Sequence, residues 1–125
     1  MNMKTLTEII DIYGSDKNLS KYTPIYEELF KYFRNEEFNL LEIGIGTVKP
    51  NAQSSMAATS IPNYKPGASL RSWKEYFQNS MIYGGDIQND TQFEEERIKT
   101  FLFDSTNKKE CDKVLKDLRF KIIID

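Results

Sequence analysis

The sequence predicts a single α/β domain in which a partial parallel β-sheet is flanked by helices. Segments of helical periodicity alternate with short apolar runs, an order typical of parallel βαβ units with right-handed crossovers. The first apolar run is closed by two glycines, and the other three each end on an aspartate. With 125 residues the chain fits one core, so we expect one domain over 1–125, with a helical segment over 1–36 and the sheet over 37–125.

Four segments carry the spacing of amphipathic helices. The first contains Leu6, Ile9 and Ile10, with Thr5 or Thr7 as the cap and an end near 13–17 (YGSDK). The second starts at 23–24 (TP), the third covers about 69–77, and the fourth covers about 111–118. The apolar residues at helical spacing in the last three are Ile25, Tyr26, Leu29, Phe30 and Phe33, then Leu70, Trp73, Tyr76 and Phe77, and finally Val114, Leu115 and Leu118.

Four short runs are predicted strands, at 38–45, 81–87, 98–104 and 120–125. The first is apolar apart from Asn39 and Glu42, which is typical of a strand buried on both faces. Between this strand and the third helix lies a long segment, 47–67, in which three prolines block regular structure. Loops of this length in compact domains are usually functional or disordered.

Composition excludes several kinds of function. The net charge is −2 with a pI near 5.3, and the basic residues are scattered, so nucleic acid is a poor partner. The single cysteine, Cys111, excludes an internal disulfide, and the absence of histidine excludes Cys/His zinc sites and removes the commonest general base. No run is long enough to span a membrane and no apolar signal core is visible, so we predict a cytoplasmic location.

Polar residues that can bind a ligand cluster at the predicted strand ends, beyond which open parallel sheets bind ligands. Gly44 and Gly46 permit a tight turn and close approach of backbone N–H groups, and Glu42 can orient that turn or bind a cationic group. Asp86 is placed to accept both ribose hydroxyls of a nucleoside. Asp104, followed by Ser105, is placed to receive an adenine amino group.

Each of these residues also has a purely structural interpretation. The glycine pair is compatible with an ordinary strand-to-loop turn, Asp86 with a solvated turn residue, and Asp104 with the N-cap of the next helix. Core packing is an equally simple role for the large aromatic residues Tyr22, Tyr26, Trp73 and Tyr76.

Six segments together carry a family resemblance: 13–17 (YGSDK), Tyr22 with 25–26 (IY), 40–46 (LLEIGIG), 67–70 (GASL) with Trp73 and 76–77 (YF), 83–87 (YGGDI), and 120–125 (FKIIID). The chain resembles the class I S-adenosylmethionine-dependent methyltransferases, and in particular the macrocin-type O-methyltransferases that modify sugars on macrolides and related glycans. The likeness covers nearly the whole chain. It implies a Rossmann-like methyltransferase fold with strand order 3-2-1-4.

Carried over by position, the resemblance also implies roles for individual residues. Glu42, Gly44 and Gly46 would cradle the methionine part of S-adenosylmethionine. Asp86 would hold the ribose, while Asp104 and Ser105 would flank the adenine. Ser69 would add a hydroxyl and helix N-terminal amides near the cofactor carboxylate. The residues expected to close over the cofactor are Tyr13, Lys17 and Tyr22.

Three departures from the family pattern limit what we expect of this chain. Residues 18–21 (NLSK) lack a histidine, the loop over 47–66 is long, and only the first four of seven expected strands are present. In macrocin-type relatives the fourth strand continues into a turn that supplies a magnesium ligand and the catalytic base, and Asp125 adjoins that position. We therefore expect an N-terminal portion, truncated or split, that is inactive alone, with no metal site of its own and Mg²⁺ only in a complete enzyme.

The uncovered fourth strand also predicts a partner, either a second copy of the chain or a separate C-terminal portion. The leading functional hypothesis is a methyltransferase with a sugar or glycan hydroxyl as acceptor. One alternative is a non-catalytic interaction module with a degenerate methyltransferase fold. The other is a nicotinamide-binding oxidoreductase fragment, although the third glycine of a dinucleotide fingerprint would fall at Lys49.

Overall fold

The computed structural model describes residues 3–14, 22–50, 56 and 65–125, and the fold is built from these. The helices are α1 (Leu6–Tyr13), α2 (Thr23–Phe30), α3 (Ala68–Tyr76) and α4 (Lys108–Leu115), with 3₁₀ turns at Lys31–Phe33 and Asn89–Thr91. The strands are β1 (Asn39–Ile43), β2 (Met81–Asp86), β3 (Glu94–Glu95), β4 (Ile98–Leu102) and β5 (Ile122–Ile124). Helices and strands alternate as the sequence predicts.

The described strands form one sheet in the order β3-β4-β2-β1-β5. β1 pairs in parallel with β2 and with β5, and β2 pairs in parallel with β4. The four predicted strands thus lie in the predicted order, which confirms the α/β fold with a partial parallel sheet. β3 is an additional antiparallel edge strand that the sequence did not predict, because its two residues are exposed glutamates without an apolar pattern.

The start and end of α1 follow directly from its sequence. Thr5 and Glu8 form a capping box, in which the Thr5 hydroxyl accepts from the Glu8 N–H at 3.2 Å. Gly14 ends the helix with φ of 71° and donates its N–H to the Ile10 carbonyl. Leu6, Ile9 and Ile10 are buried, which confirms the predicted inner face.

Aromatic rings pack α2 against α3. The Tyr26 and Phe30 rings stack at 5.5 Å, and both meet Trp73 edge-on at 5.7 and 6.0 Å. Ile25 and Leu29, which the spacing placed in the same series, are instead 60% and 57% exposed. Only one face of α2 meets α3, so the other apolar side chains point outward.

Helix α4 begins earlier than predicted and is the least buried helix. It begins at Lys108, since Asn107 is the N-cap and accepts from the Glu110 N–H at 3.2 Å. The predicted inner residues Val114, Leu115 and Leu118 are only half-buried. No helix in the described part of the chain is long and apolar enough to cross a membrane.

Candidate functional site

The carboxyl ends of β1, β2 and β4 surround a cavity of about 390 Å³. Parallel pairing brings these strand ends to the same edge of the sheet, with Ile43 beside Gly85 and Asp86 beside Leu102. The cavity is lined by Ile43, Gly44, Gly85, Asp86, Ile87, Phe103, Asp104, Ser105 and Thr106. Four residues selected from the sequence, Gly44, Asp86, Asp104 and Ser105, therefore share one cavity.

Gly44 and Gly46 form the turn that leaves β1, which we call the glycine turn. Their φ angles are 88° and 101°, in the region that favours glycine. The Gly44 N–H donates to the Gly85 carbonyl at 2.8 Å, so the turn begins as an extension of the sheet. A Cβ built on Gly44 meets no atom within 4 Å, which leaves open space where a ligand can approach the backbone.

Gly85 is required for a different reason, the packing of the cavity wall. A Cβ at this position would lie 2.4 Å from an edge carbon of the Phe103 ring. Phe103 is only 3% exposed and lines the same cavity. The missing side chain of Gly85 thus allows Phe103 to close the wall between β2 and β4.

Asp86 both lines the cavity and holds the glycine turn. One carboxylate oxygen, Oδ2, accepts from the Ile45 N–H at 2.7 Å, and Oδ1 accepts from the Gln88 N–H at 2.9 Å. A carboxylate oxygen has two lone pairs, so each can still accept a hydrogen bond from a ligand hydroxyl. The bond to Gln88 is that of a local turn, whereas the bond to Ile45 joins Asp86 to a residue 41 positions away.

Asp104 is held by the residue two positions further on. Its Oδ1 accepts from the Thr106 N–H at 2.9 Å and from the Thr106 hydroxyl at 2.7 Å. These hydrogen bonds keep the pKa of the Asp104 carboxyl below its ordinary value, so the group is ionised at neutral pH. The interpretation of Asp104 as the N-cap of the next helix is wrong, because that position belongs to Asn107.

Glu42 lies just before the glycine turn but is buried beneath it. The residue is 2% exposed, and its Oε2 accepts from the Trp73 indole N–H at 3.3 Å. This bond joins β1 to α3. Trp73 and Tyr76 have no exposed surface, as their interpretation as core residues predicts, and burial together with nearby Glu27 raises the pKa of Tyr76.

Three other predicted residues that the structure describes, Tyr13, Tyr22 and Ser69, are not among the residues that line the cavity. Ser69 lies in the first turn of α3, and the half-exposed Tyr22 ring forms a T-shaped pair with the Tyr26 ring at 6.3 Å. Tyr13 contacts a separate cavity of about 300 Å³ with Arg71, Lys74, Glu75, Gln78, Glu95 and Arg97. Burial and the neighbouring Glu75 and Glu95 raise the pKa of the Tyr13 hydroxyl. Lys17 lies outside the described residues, so the closing role of these side chains stays a prediction.

Sequence reasoning missed Asp90, which binds the chain just beyond the glycine turn. Its Oδ1 accepts from the Thr47 hydroxyl at 2.5 Å and its Oδ2 accepts from the Val48 N–H at 3.0 Å. Partial desolvation opposes ionisation, but these two bonds and the charge of Lys49 prevail and hold the pKa of Asp90 below its ordinary value. Asp90 stands in a polar run after β2, and nothing in that run indicates its partners.

Metal ligands are not concentrated at this edge of the sheet. Within residues 3–14, 22–50, 56 and 65–125, no three Asp, Glu or Cys side chains are grouped so as to hold a metal ion. The chemistry of the cavity in the described residues is that of backbone amides, two carboxylates and hydroxyls.

Comparison with known proteins shows relatives of one kind. The chain is 36% identical over 104 residues to demethylmacrocin O-methyltransferase of Streptomyces fradiae, a match covering 82% of this chain and 23% of that protein. It is 33% identical over 123 residues to mycinamicin VI 2''-O-methyltransferase of Micromonospora griseorubida, covering 96% of this chain and 28% of that protein. Its homologues are sugar O-methyltransferases.

A solved structure shows the same fold. The MycE methyltransferase of the mycinamycin biosynthetic pathway, in complex with Mg, SAH and mycinamycin VI, superposes with a TM-score of 0.78 and 31% identity. The match covers 99% of this chain and 31% of MycE. The chain spans about a quarter of the length of the curated relatives it matches. No protein-family model matches the sequence.

Proposed function

We propose that this macrocin-type homologue binds S-adenosylmethionine at the carboxyl edge of its sheet, as part of a sugar O-methyltransferase. The observation that carries the proposal is the single cavity shared by Gly44, Asp86 and Asp104. The homologous MycE methyltransferase is described in complex with SAH, Mg and mycinamycin VI, which supports the same ligand classes here.

The residues of the cavity fit the nucleoside end of the cofactor. Gly44 leaves room beside the backbone, and Asp86 presents two oxygens with free lone pairs to the ribose hydroxyls. Asp104 is an ionised acceptor for the adenine amino group, and Ser105 lies beside it. Phe103 supplies an apolar wall of the kind that most small-molecule sites contain.

At the methionine end, the proposed roles rest on position along the chain. Gly46 continues the glycine turn, and Ser69 lies in the first turn of α3, where helix amides favour an anion. Glu42 precedes the glycine turn and connects β1 to α3 by accepting a hydrogen bond from the Trp73 indole N–H. We retain Tyr13, Lys17 and Tyr22 as residues that close over the cofactor.

Methyl transfer from the sulfonium to a sugar hydroxyl needs alignment of the two groups and a base for the hydroxyl proton. The described residues supply surfaces for alignment. Asp125 follows β5, whose Ile124 pairs with Glu42, so it lies at the same edge of the sheet as the glycine turn. We propose that the base and the Mg²⁺ ligands come from polypeptide next to this position, and that residues 1–125 alone have little activity.

The experiment is a calorimetric titration of the 125-residue protein with SAH and with NAD in parallel. We expect saturable heat with SAH and none with NAD. The oxidoreductase alternative predicts the reverse order, and the non-catalytic alternative predicts a folded protein that binds neither. Asp86→Ala is the matched variant that removes the proposed ribose acceptor, and Asp117→Asn on the exposed surface is the control.

A second proposal concerns β5, which pairs with β1 alone among the described strands. Its other edge pairs with no strand among the described residues, and Ile123 is 64% exposed. We propose that a second copy or another polypeptide segment pairs with this edge. If light scattering shows a stable monomer in dilute solution, this result would count strongly against pairing of two copies. We also propose that residues 1–125 form one domain, with a helical segment over 1–36, and that the protein is cytoplasmic.

A further inference from the structure

The connection after β2 holds the glycine turn with two carboxylates. Asp86 accepts from the Ile45 N–H at 2.7 Å, and four residues later Asp90 accepts from the Thr47 hydroxyl and the Val48 N–H at 2.5 and 3.0 Å. The two side chains thus hold positions on both sides of Gly46. We call the Asp90 contacts with Thr47 and Val48 the clamp.

The clamp stands on a rigid support. Asp90 is the middle residue of the 3₁₀ turn Asn89–Thr91, and Thr91 has no exposed surface. The Thr91 hydroxyl donates to the Gln88 carbonyl at 2.6 Å, and its N–H donates to the same carbonyl at 3.3 Å. The backbone that carries Asp90 is therefore held on the β2 side of the contact by bonds that do not involve the glycine turn.

The receiving side of the clamp is buried at Thr47 and exposed at Val48, which is 39% accessible. Thr47 is 3% exposed, and its hydroxyl accepts from the Lys49 N–H at 3.1 Å while it donates to Asp90. The Lys49 ammonium group also bonds to Asn89. The segment leaving Gly46 is therefore attached to the β2 connection at three consecutive residues.

Glycine-rich backbone needs such support, because glycine has little conformational preference of its own and loses the most freedom on ordering. Both glycines of the turn have positive φ, and neither has a side chain that packs. Loss of the clamp would remove part of the support of the turn, and the cost of restoring its order on ligand binding would appear as weaker affinity.

We infer that Asp90 is a positioning residue, which pre-orders the glycine turn for the cofactor through Thr47 and Val48 without touching the ligand. This inference rests on the proposed function of the cavity. Asp90 is not among the residues that line the cavity, so its effect on binding is indirect. The cofactor class that benefits is a nucleoside carrying an amino-acid chain, since that chain would extend along the turn.

The test compares wild type with Asp90→Ala, Asp90→Asn, Thr47→Val and the double variant Asp90→Ala/Thr47→Val. Asp112→Asn on the exposed face of α4 is the control, since it removes one carboxylate charge without contacting the turn. SAH affinity is measured by calorimetry, folding by thermal denaturation, and the order of the turn by amide hydrogen exchange at Gly46 and Val48.

We expect Asp90→Ala to weaken SAH binding about tenfold and to speed Val48 exchange, with the protein still folded. Asp90→Asn keeps one acceptor oxygen and should recover part of the affinity. Since Thr47 and Asp90 act as a pair, the double variant should lose less affinity than the two single losses combined.

Either of two results would overturn the inference: unchanged SAH affinity in Asp90→Ala despite faster Val48 exchange, or additive effects in the double variant. If Asp90→Ala fails to fold, the SAH affinity and Val48 exchange of Asp90→Asn and Thr47→Val are compared with wild type in its place. If wild type binds no SAH, the proposed function fails, and exchange at Val48 in the free proteins still decides whether the clamp exists. Equal Val48 exchange in wild type and Asp90→Ala would refute the clamp itself.

Discussion

The Asp86 carboxylate and the Ile45 backbone N–H are joined by a hydrogen bond of 2.7 Å. This bond connects the end of β2 to the turn after β1, so a residue at the cavity wall also determines the position of the backbone that a ligand would approach. Under the proposed function, ligand recognition and backbone order therefore depend on the same carboxylate.

Asp86→Ala should reduce SAH affinity more than Asp90→Ala does, so its loss relative to wild type should exceed about tenfold. It removes the proposed acceptor for the ribose and releases Ile45, whereas Asp90 acts only through the turn. Calorimetric titration of both variants gives the comparison. Equal affinity losses would indicate that Asp86 only supports the turn, and Asp117→Asn should behave as wild type.

Gly85→Ala should lower the free energy of unfolding by about 1–3 kcal/mol, the usual cost of overpacking a core. The new methyl group would lie 2.4 Å from the Phe103 ring, which is nearly buried. Urea denaturation measures the change. The same Gly85→Ala substitution should cost less stability in a Phe103→Leu background than in wild type. An equal cost in both backgrounds would show that the clash lies elsewhere.

Trp73→Phe should destabilise the protein by about 1–3 kcal/mol through Glu42 as well as through lost volume. The indole N–H donates to a carboxylate that is only 2% exposed, and phenylalanine has no donor. Trp73→Phe in a Glu42→Gln background measures the coupling by denaturation. Because the amide oxygen introduced by Glu42→Gln could still accept from the indole, additive losses would mean that the negative charge of Glu42 does not strengthen this bond. Tyr32→Phe at the exposed surface is a neutral control.

Stability should decrease in acid partly through Asp90. Its pKa in the folded protein is lower than the ordinary value of 3.8, so the folded state binds this proton less readily than the unfolded state. The contribution is fully present above the ordinary pKa and is lost as pH falls through the lower folded value. Urea denaturation of wild type and Asp90→Asn between pH 6 and pH 2.5 should therefore give curves that converge at the acid end. Parallel curves would contradict this account.

Sequence patterns predicted those features that depend on local chemistry and burial. The cap at Thr5, one of the two threonines proposed, the four parallel strands and the aspartates at the strand ends all follow from residue type and spacing. The resemblance to the macrocin-type family supplied the strand order, and the homologues found by comparison confirm that family.

Contacts between residues distant in sequence were not predictable in the same way. The bond from Thr47 to Asp90 joins residues 43 positions apart, and neither residue carries a mark of its partner. Likewise, helical periodicity cannot tell which apolar side chains of α2 meet α3, so Ile25 and Leu29 were grouped with buried residues although they are exposed. Strand β3 was missed because backbone pairing alone defines it.

The most direct test of the central claim is the titration of the folded 125-residue protein with SAH, monitored by calorimetry and by the amide signals of Gly44, Ile45 and Asp86. The account predicts saturable binding at or below millimolar SAH, with shifts concentrated at these three residues and abolished in Asp86→Ala. A folded protein that gives no heat and no shift at millimolar SAH would contradict it.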